Sequence, residues 1–120
     1  MSDNNLHNKS LLFAVRTVKF YNYLCNEKKE FVMSKQILRS GTSVGANIRE
    51  SKNAQSPSDF VHKLNIALKE ADETQYWLEV MSLSETITPD EYNSMNKDLK
   101  EIIALLTSII KTTKKNNNIE

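Results

Sequence analysis

Glycine and proline are scarce in this sequence, with two of each in 120 residues, far below ordinary usage. Hairpins and sandwich loops draw on those residues, so a strand-rich fold lacks its punctuation and long helices with short connections are expected instead. Cysteine occurs once, as Cys25. A single thiol closes no internal disulfide and builds no cysteine-based zinc site, which makes a reducing cytoplasm the expected compartment. No apolar run approaches the ~20 residues that a membrane span needs, so no membrane partner is expected. The opening MSDNNLHNKS has neither a basic n-region nor an apolar h-region, and no secretory signal is expected there. Neither a G-x-x-x-x-G-K-[ST] nor a G-x-G-x-x-G loop occurs, so the chain has no phosphate-cradling turn of those kinds.

What is present suits one compact domain: 39% hydrophobic and 26% charged residues around a single core. The net charge of +1 conceals an asymmetry. From Met1 to Lys63 there are 10 Lys and Arg against 5 Asp and Glu, and from Leu64 to Glu120 there are 6 against 10. A basic half can mark a polyanion-binding face, but because basic and acidic residues are interspersed, oppositely charged helices packed side by side are the first reading.

Helical spacing recurs four times. Helix 1 is expected over Ser10 to Asn26, with Leu11, Val15, Val18 and Cys25 as its buried line and Leu12, Phe20 and Tyr21 beside them. Helix 2 is expected from Ser34 as N-cap to Ala54, with Ile37, Gly41, Val44 and Ile48 inward. Ser56-Pro57-Ser58-Asp59 and Thr88-Pro89-Asp90-Glu91 each join a capping hydroxyl, a proline at the first helical position and an acid three residues after the cap. They open helix 3, Pro57 to Glu85, and helix 4, Pro89 to Thr112. Helix 3 turns Phe60, Leu64, Ala67, Ala71, Leu78 and Met81 inward, with Val61, Leu68 and Trp77 widening that face. Helix 4 has the most regular seam: Tyr92, Met95, Leu99, Ile102, Leu106 and Ile109. Short connections make neighbours antiparallel, so the expected fold is all-α, an antiparallel up-down-up-down four-helix bundle over residues 10–113. Residues 1–9 are expected to be a flexible start and 114–120 a disordered tail.

Catalytic and metal constellations are thin. A di-iron bundle needs two Glu-x-x-His pairs facing inward, whereas this chain offers one Asp59-x-x-His62 and a His7 with no acid three positions before it. Cys25 has no convincingly placed histidine base and reads as a small core residue. No cofactor, no metal and no enzymatic activity are expected.

Gly41 and Gly45 sit four apart inside a helical pattern, each at a cost of about 1 kcal/mol in propensity. With Ser40, Ser43 and Ala46 they thin one helix surface and permit close approach by another helix or another subunit. Beside them runs a polar row, Arg39, Ser43, Asn47 and Glu50, facing Asn65, Glu73 and Gln75 of helix 3. The row reads first as a structural network, with Glu73 as its partner, and second as a ligand site. Lys9, Arg16, Lys19, Lys35, Arg49 and Lys52 are the candidate phosphate contacts, and Arg16 with Lys19 can share a face. Tyr21, Tyr23, Tyr76 and Trp77 suit base stacking, but aromatics at helical spacing more often form core or interface.

Two stretches carry a family resemblance. Arg39-Ser40-Gly41-Thr42-Ser43-Val44-Gly45-Ala46-Asn47-Ile48-Arg49-Glu50, continued by Ala54-Gln55-Ser56 and Asp59-Phe60, is similar to one signature of the 23S rRNA intervening-sequence proteins. Ile66-Ala67-Leu68-Lys69-Glu70-Ala71-Asp72-Glu73-Thr74-Gln75-Tyr76-Trp77-Leu78 resembles the second, in the expected order and separation. The likeness runs from about Ser10 to Lys111. Members often carry glutamate where this chain has Gln75, a departure that removes a charge opposite Arg39. The resemblance implies an antiparallel four-helix bundle that assembles as a homopentamer. It also implies likeness to the accessory protein of diversity-generating retroelements, which binds nucleic acid and a reverse transcriptase through a basic surface. RNA or DNA, a reverse transcriptase and further copies of the chain are therefore the expected partners. A protein-interaction module that binds no nucleic acid is the alternative.

Overall fold

The computed structural model describes residues 2–120, with side chains from Asn5 onward. Four helices follow one another: α1 (Ser2–Asn26), α2 (Met33–Ser51), α3 (Pro57–Leu83) and α4 (Pro89–Asn116). They form an all-α bundle of 48 × 22 × 22 Å. Helix α1 packs on α2 and α4, and α3 packs on the same two, so α1 and α3 occupy diagonal corners. The directions follow from the pairings. Along α1, Lys9, Arg16 and Tyr23 meet Glu101, Asp98 and Glu91 in turn, and along α2, Arg39 and Glu50 meet Glu73 and Lys63. Rising numbers on one helix against falling numbers on the next make these neighbours antiparallel.

Both proline-marked caps form. Ser56 Oγ accepts the Asp59 N–H at 3.0 Å, and Thr88 with Glu91 closes a reciprocal capping box. Helix α2 starts differently from the expected Ser34 cap. The Glu30 carboxylate accepts from the N–H groups of Val32, Met33 and Ser34 at 3.2, 3.0 and 2.7 Å, and anchors the helix's positive end. Ser34 is instead buried, with its hydroxyl 3.8 Å from the half-buried Cys25 Sγ. Cys25 thus lies at the edge of the core.

The termini differ from expectation. Residues 2–9, read as flexible, continue α1, and Leu6 is buried in the core; Met1 lies outside the described residues. At the other end α4 runs on to Asn116, and Ile119 turns back against the core with its N–H bonded to the Lys114 carbonyl at 2.9 Å. Each terminus carries one apolar side chain that the core accepts, which outweighs the polar residues around it.

The seams expected for α2, α3 and α4 are buried at Ile37, Gly41, Val44 and Ile48; Leu64, Ala67, Ala71, Leu78 and Met81; Met95, Leu99, Ile102, Leu106 and Ile109, while Phe60 and Tyr92 at the helix starts are half-buried. Helix α1 departs from expectation. Its buried line is Leu6, Ser10, Phe13, Thr17, Phe20 and Leu24, while Leu11, Val15 and Val18 face outward.

The two glycines explain why α1 turns that way. A Cβ on Gly41 would sit 2.7 Å from Thr17 Cγ2 and 2.9 Å from its Oγ1, and one on Gly45 would sit 3.2 Å from the Ser10 carbonyl oxygen. Thus α1 lies directly on the thinned surface of α2, with two small hydroxyl residues over the glycines. Both hydroxyls are satisfied by their own helix, Ser10 at His7 O (3.1 Å) and Thr17 at Phe13 O (2.8 Å), so their burial leaves no polar atom unpaired. We expect Gly41→Ala to lower stability by about 1–3 kcal/mol despite alanine's better helix propensity, because the rigid Thr17 side chain has nowhere to retreat. Urea unfolding measures this, and Thr17→Ser in the same background should restore part of the loss. An unchanged midpoint in Gly41→Ala would show that the helices are not held this close.

Candidate self-association surface

Helix α1 carries two lines of side chains at alternating spacings of three and four. The inner line, Leu6 to Leu24, fills the bundle. The outer line, Asn8, Leu11, Val15, Val18 and Asn22, points away from it. Leu11, Val15 and Val18 remain 50%, 47% and 43% exposed, and the neighbouring Leu12 is 67% exposed. The apolar part of this strip is two turns long, about 10 Å at 1.5 Å per residue. On one flank a groove of about 360 Å³ separates α1 from α2, lined by Leu11, Ala14, Thr42, Gly45, Ala46 and Arg49, with His7, Ser10 and Glu50. Its walls are mostly small, so a side chain from outside can enter it. On the other flank a cleft of about 500 Å³ lies between α1 and α4. Phe20, Tyr23 and Met95 supply its apolar lining, and it ends at the Tyr23–Glu91 and Arg16–Ser94 contacts.

The polar row on α2 does not act as one network. Arg39 pairs with Glu70 at 3.2 Å and with Glu73, which also accepts the Trp77 indole N–H at 3.2 Å. Ser43 instead donates to the Arg39 carbonyl at 2.7 Å and Asn47 to the Ser43 carbonyl at 2.8 Å, each turning back on its own helix. Glu50 pairs with Lys63 at 3.5 Å. Gln75 belongs elsewhere, donating to the buried Asn96 at 2.9 Å and tying α3 to α4. The α2–α3 contact missed in the sequence is the buried Ser40–Thr74 hydroxyl pair at 2.9 Å.

The six candidate phosphate contacts are not brought together. Lys9 is tied to Glu101 at 3.2 Å, and Arg16 to Asp98 at 2.6 Å and to the Ser94 carbonyl at 2.9 Å. Arg16 therefore turns toward α4, and Lys19 lines the same α1–α4 cleft beside it but forms no ion pair among the described residues. Lys19, Lys35, Arg49 and Lys52 are exposed and form no ion pair among the described residues, but they lie along α1, at the start of α2 and at its far end. Tyr23 lies over the α1–α4 seam and Trp77 over α3, where Tyr76 meets it edge-on at 5.1 Å. Among the described residues no group of three or more His, Cys, Asp or Glu is placed to hold a metal ion. No described helix is long and apolar enough to cross a membrane.

Over residues 2–108 the chain matches the family model of the 23S rRNA-intervening sequence proteins. The chain belongs to that family. A crystal structure of a protein of unknown function from Bacteroides thetaiotaomicron VPI-5482, of the S23 ribosomal protein family, is similar at 64% identity with a TM-score of 0.91. The match covers 92% of this chain and 99% of that one. Nothing among curated proteins matches the chain. The stretch Arg39 to Glu50, which carries the resemblance, has a physical basis in the fold. Its glycines seat α1, Ser40 meets Thr74, and Arg39 meets the Glu70 and Glu73 of the second signature.

The hydrogen bond from Arg39 holds the Glu73 carboxyl below the usual carboxylate range, helped by Trp77 and opposed by partial burial. A depressed carboxyl contributes stability that is present above its unfolded value, ~4.3, and is lost as pH falls through the folded value. Arg39→Gln should therefore flatten the acid limb of the stability profile. At neutral pH it should cost no more than about 1 kcal/mol, since the pair is exposed. Urea midpoints measured from neutral to acid pH check this, and an acid limb as steep as the parent's would contradict it.

Proposed function

We propose that this chain is a non-enzymatic cytoplasmic scaffold that assembles with copies of itself and binds nucleic acid. The observation that carries the reading is the apolar strip on the outer face of α1. Large side chains at the middle of a surface helix gain roughly 1 kcal/mol each when their exposed halves are covered, and contiguous patches of this kind mark association surfaces. The adjoining α1–α2 groove offers a concave surface into which a ridge from another copy can pack. A ring of five is the arrangement implied by the family resemblance, which also supports RNA or DNA and a reverse transcriptase as partners.

A specific observation favours the second reading, an interaction module that does not bind nucleic acid. Lys9, Arg16 and Arg39 from the basic half pair with Glu101, Asp98, Glu70 and Glu73 of the acidic half, so part of the charge asymmetry serves bundle assembly. A labelled duplex left free at low salt would decide for that reading.

Light scattering tests the assembly itself. The parent should give a multiple of the 13.8 kDa chain mass, near five times that value for the ring. Leu11→Glu with Val15→Glu should bring it to a single chain while leaving helix content intact, because neither side chain contributes to the core. A parent of one chain mass, or a double variant that assembles as the parent does, would refute the surface.

A further inference from the structure

The sequence places most positive charge in the first half, yet a line of exposed, unpaired lysines lies on a helix of the second. Along the outer face of α4 the exposed residues include Lys97, Lys100, Ala104, Thr107, Lys111 and Lys115, at spacings of three and four. That line is about 27 Å long, with two lysine pairs separated by about 16 Å of small side chains. Of the acids on α4 itself, Asp90 and Glu91 lie in its first turn, Asp98 is held by Arg16 and Glu101 by Lys9. From Ile102 to Ile119 the chain contains three lysines and no Asp or Glu. None of Lys97, Lys100, Lys111 and Lys115 forms an ion pair or side-chain hydrogen bond among the described residues. Lysines in a last turn complement the helix dipole, which accounts for Lys115 but not for Lys97 or Lys100, which lie in the middle of the helix.

We propose that this α4 line is the nucleic-acid-binding surface, contacting the phosphate backbone of a duplex without reading its sequence. The proposal rests on the nucleic-acid reading above and locates it. Lysine is a point charge on a long stem, suited to phosphate and indifferent to base identity. Ala104 and Thr107 between the pairs let the helix approach a backbone closely. The same composition argues against an anionic membrane, since the line has no large apolar side chains to insert. The lysine line lies on α4 and the apolar strip on α1, so the two surfaces share no residue. Each added copy then contributes another lysine line, and affinity rises through multivalency.

The test compares two quadruple variants of the full chain by fluorescence anisotropy with a labelled RNA duplex and a labelled DNA duplex across a salt series. One is Lys97→Gln, Lys100→Gln, Lys111→Gln and Lys115→Gln. The other removes the same number of exposed cations away from both the α1 strip and the α4 line: Lys29→Gln, Lys35→Gln, Lys52→Gln and Lys69→Gln. Circular dichroism and light scattering should match the parent for both. The α4 variant should bind at least about tenfold more weakly and lose about 3 from the slope of log affinity against log salt, while the control set loses less than about threefold. Equal losses in the two variants would show a response to net charge alone and would overturn the α4 site. Parent-like binding by the α4 variant would also overturn it, leaving the nucleic-acid reading in place. If the parent binds neither duplex at low salt, or binds phosphatidylserine vesicles but neither duplex, both ideas fall.

Discussion

The contact between α1 and the glycine surface of α2 sets the rest of the molecule. Thr17 and Ser10 lie over Gly41 and Gly45 at distances that a methyl group would violate or crowd. Small residues on both sides bring the two backbones together, and the approach fixes the rotation of α1 about its own axis. Once Ser10 and Thr17 face inward, Phe13, Phe20 and Leu24 must follow them into the core, and Leu11, Val15 and Val18 must face out. The glycines cost helix propensity and give α1 its orientation.

That orientation gives α1 two roles. Its inner line completes the core, and its outer line presents apolar surface next to a groove. The same rotation brings Lys9, Arg16 and Tyr23 to the α4 seam, where Glu101, Asp98 and Glu91 receive them. Ion pairs this exposed contribute little to stability. The Lys9–Glu101 and Arg16–Asp98 pairs do favour the observed neighbour order, because both join a cation of the basic half to an acid of the other. Arg39 does the same across α2 and α3. The cations left without partners are then the informative ones, and on α4 they line up.

Much of this was legible in the sequence, for identifiable reasons. Pro57 and Pro89 with their capping residues fixed two helix starts, and the Met95 to Ile109 seam fixed the inward face of α4. The inward face of α1 was not legible because the helix has two lines with the same periodicity. Leu11, Val15 and Val18 outrank Ser10 and Thr17 on any hydrophobicity scale, so periodicity alone selects the wrong line. Phe13 and Phe20, seven apart and accompanied by Leu6 and Leu24, were a usable signal, as was the need of Gly41 and Gly45 for small partners. The α2 polar row misleads for a related reason. Ser43 and Asn47 stand in line with Arg39, but their side chains reach backbone carbonyls one turn back and never leave the helix. The basic line on α4 was hidden by summing charge over half the chain, which averages lysines on one face with acids on others.

In the proposed assembly another copy of the chain covers the outer line of α1. Side-chain footprinting with a small carbene reagent, run across a range of protein concentrations, addresses it without altering a residue. Leu83 is 86% exposed at the end of α3, away from the strip, and serves as an internal reference. Labelling of Leu11, Val15 and Val18 should fall as concentration rises while labelling of Leu83 holds constant. Labelling of the strip that stays at the level expected for half-exposed side chains at every concentration would contradict it.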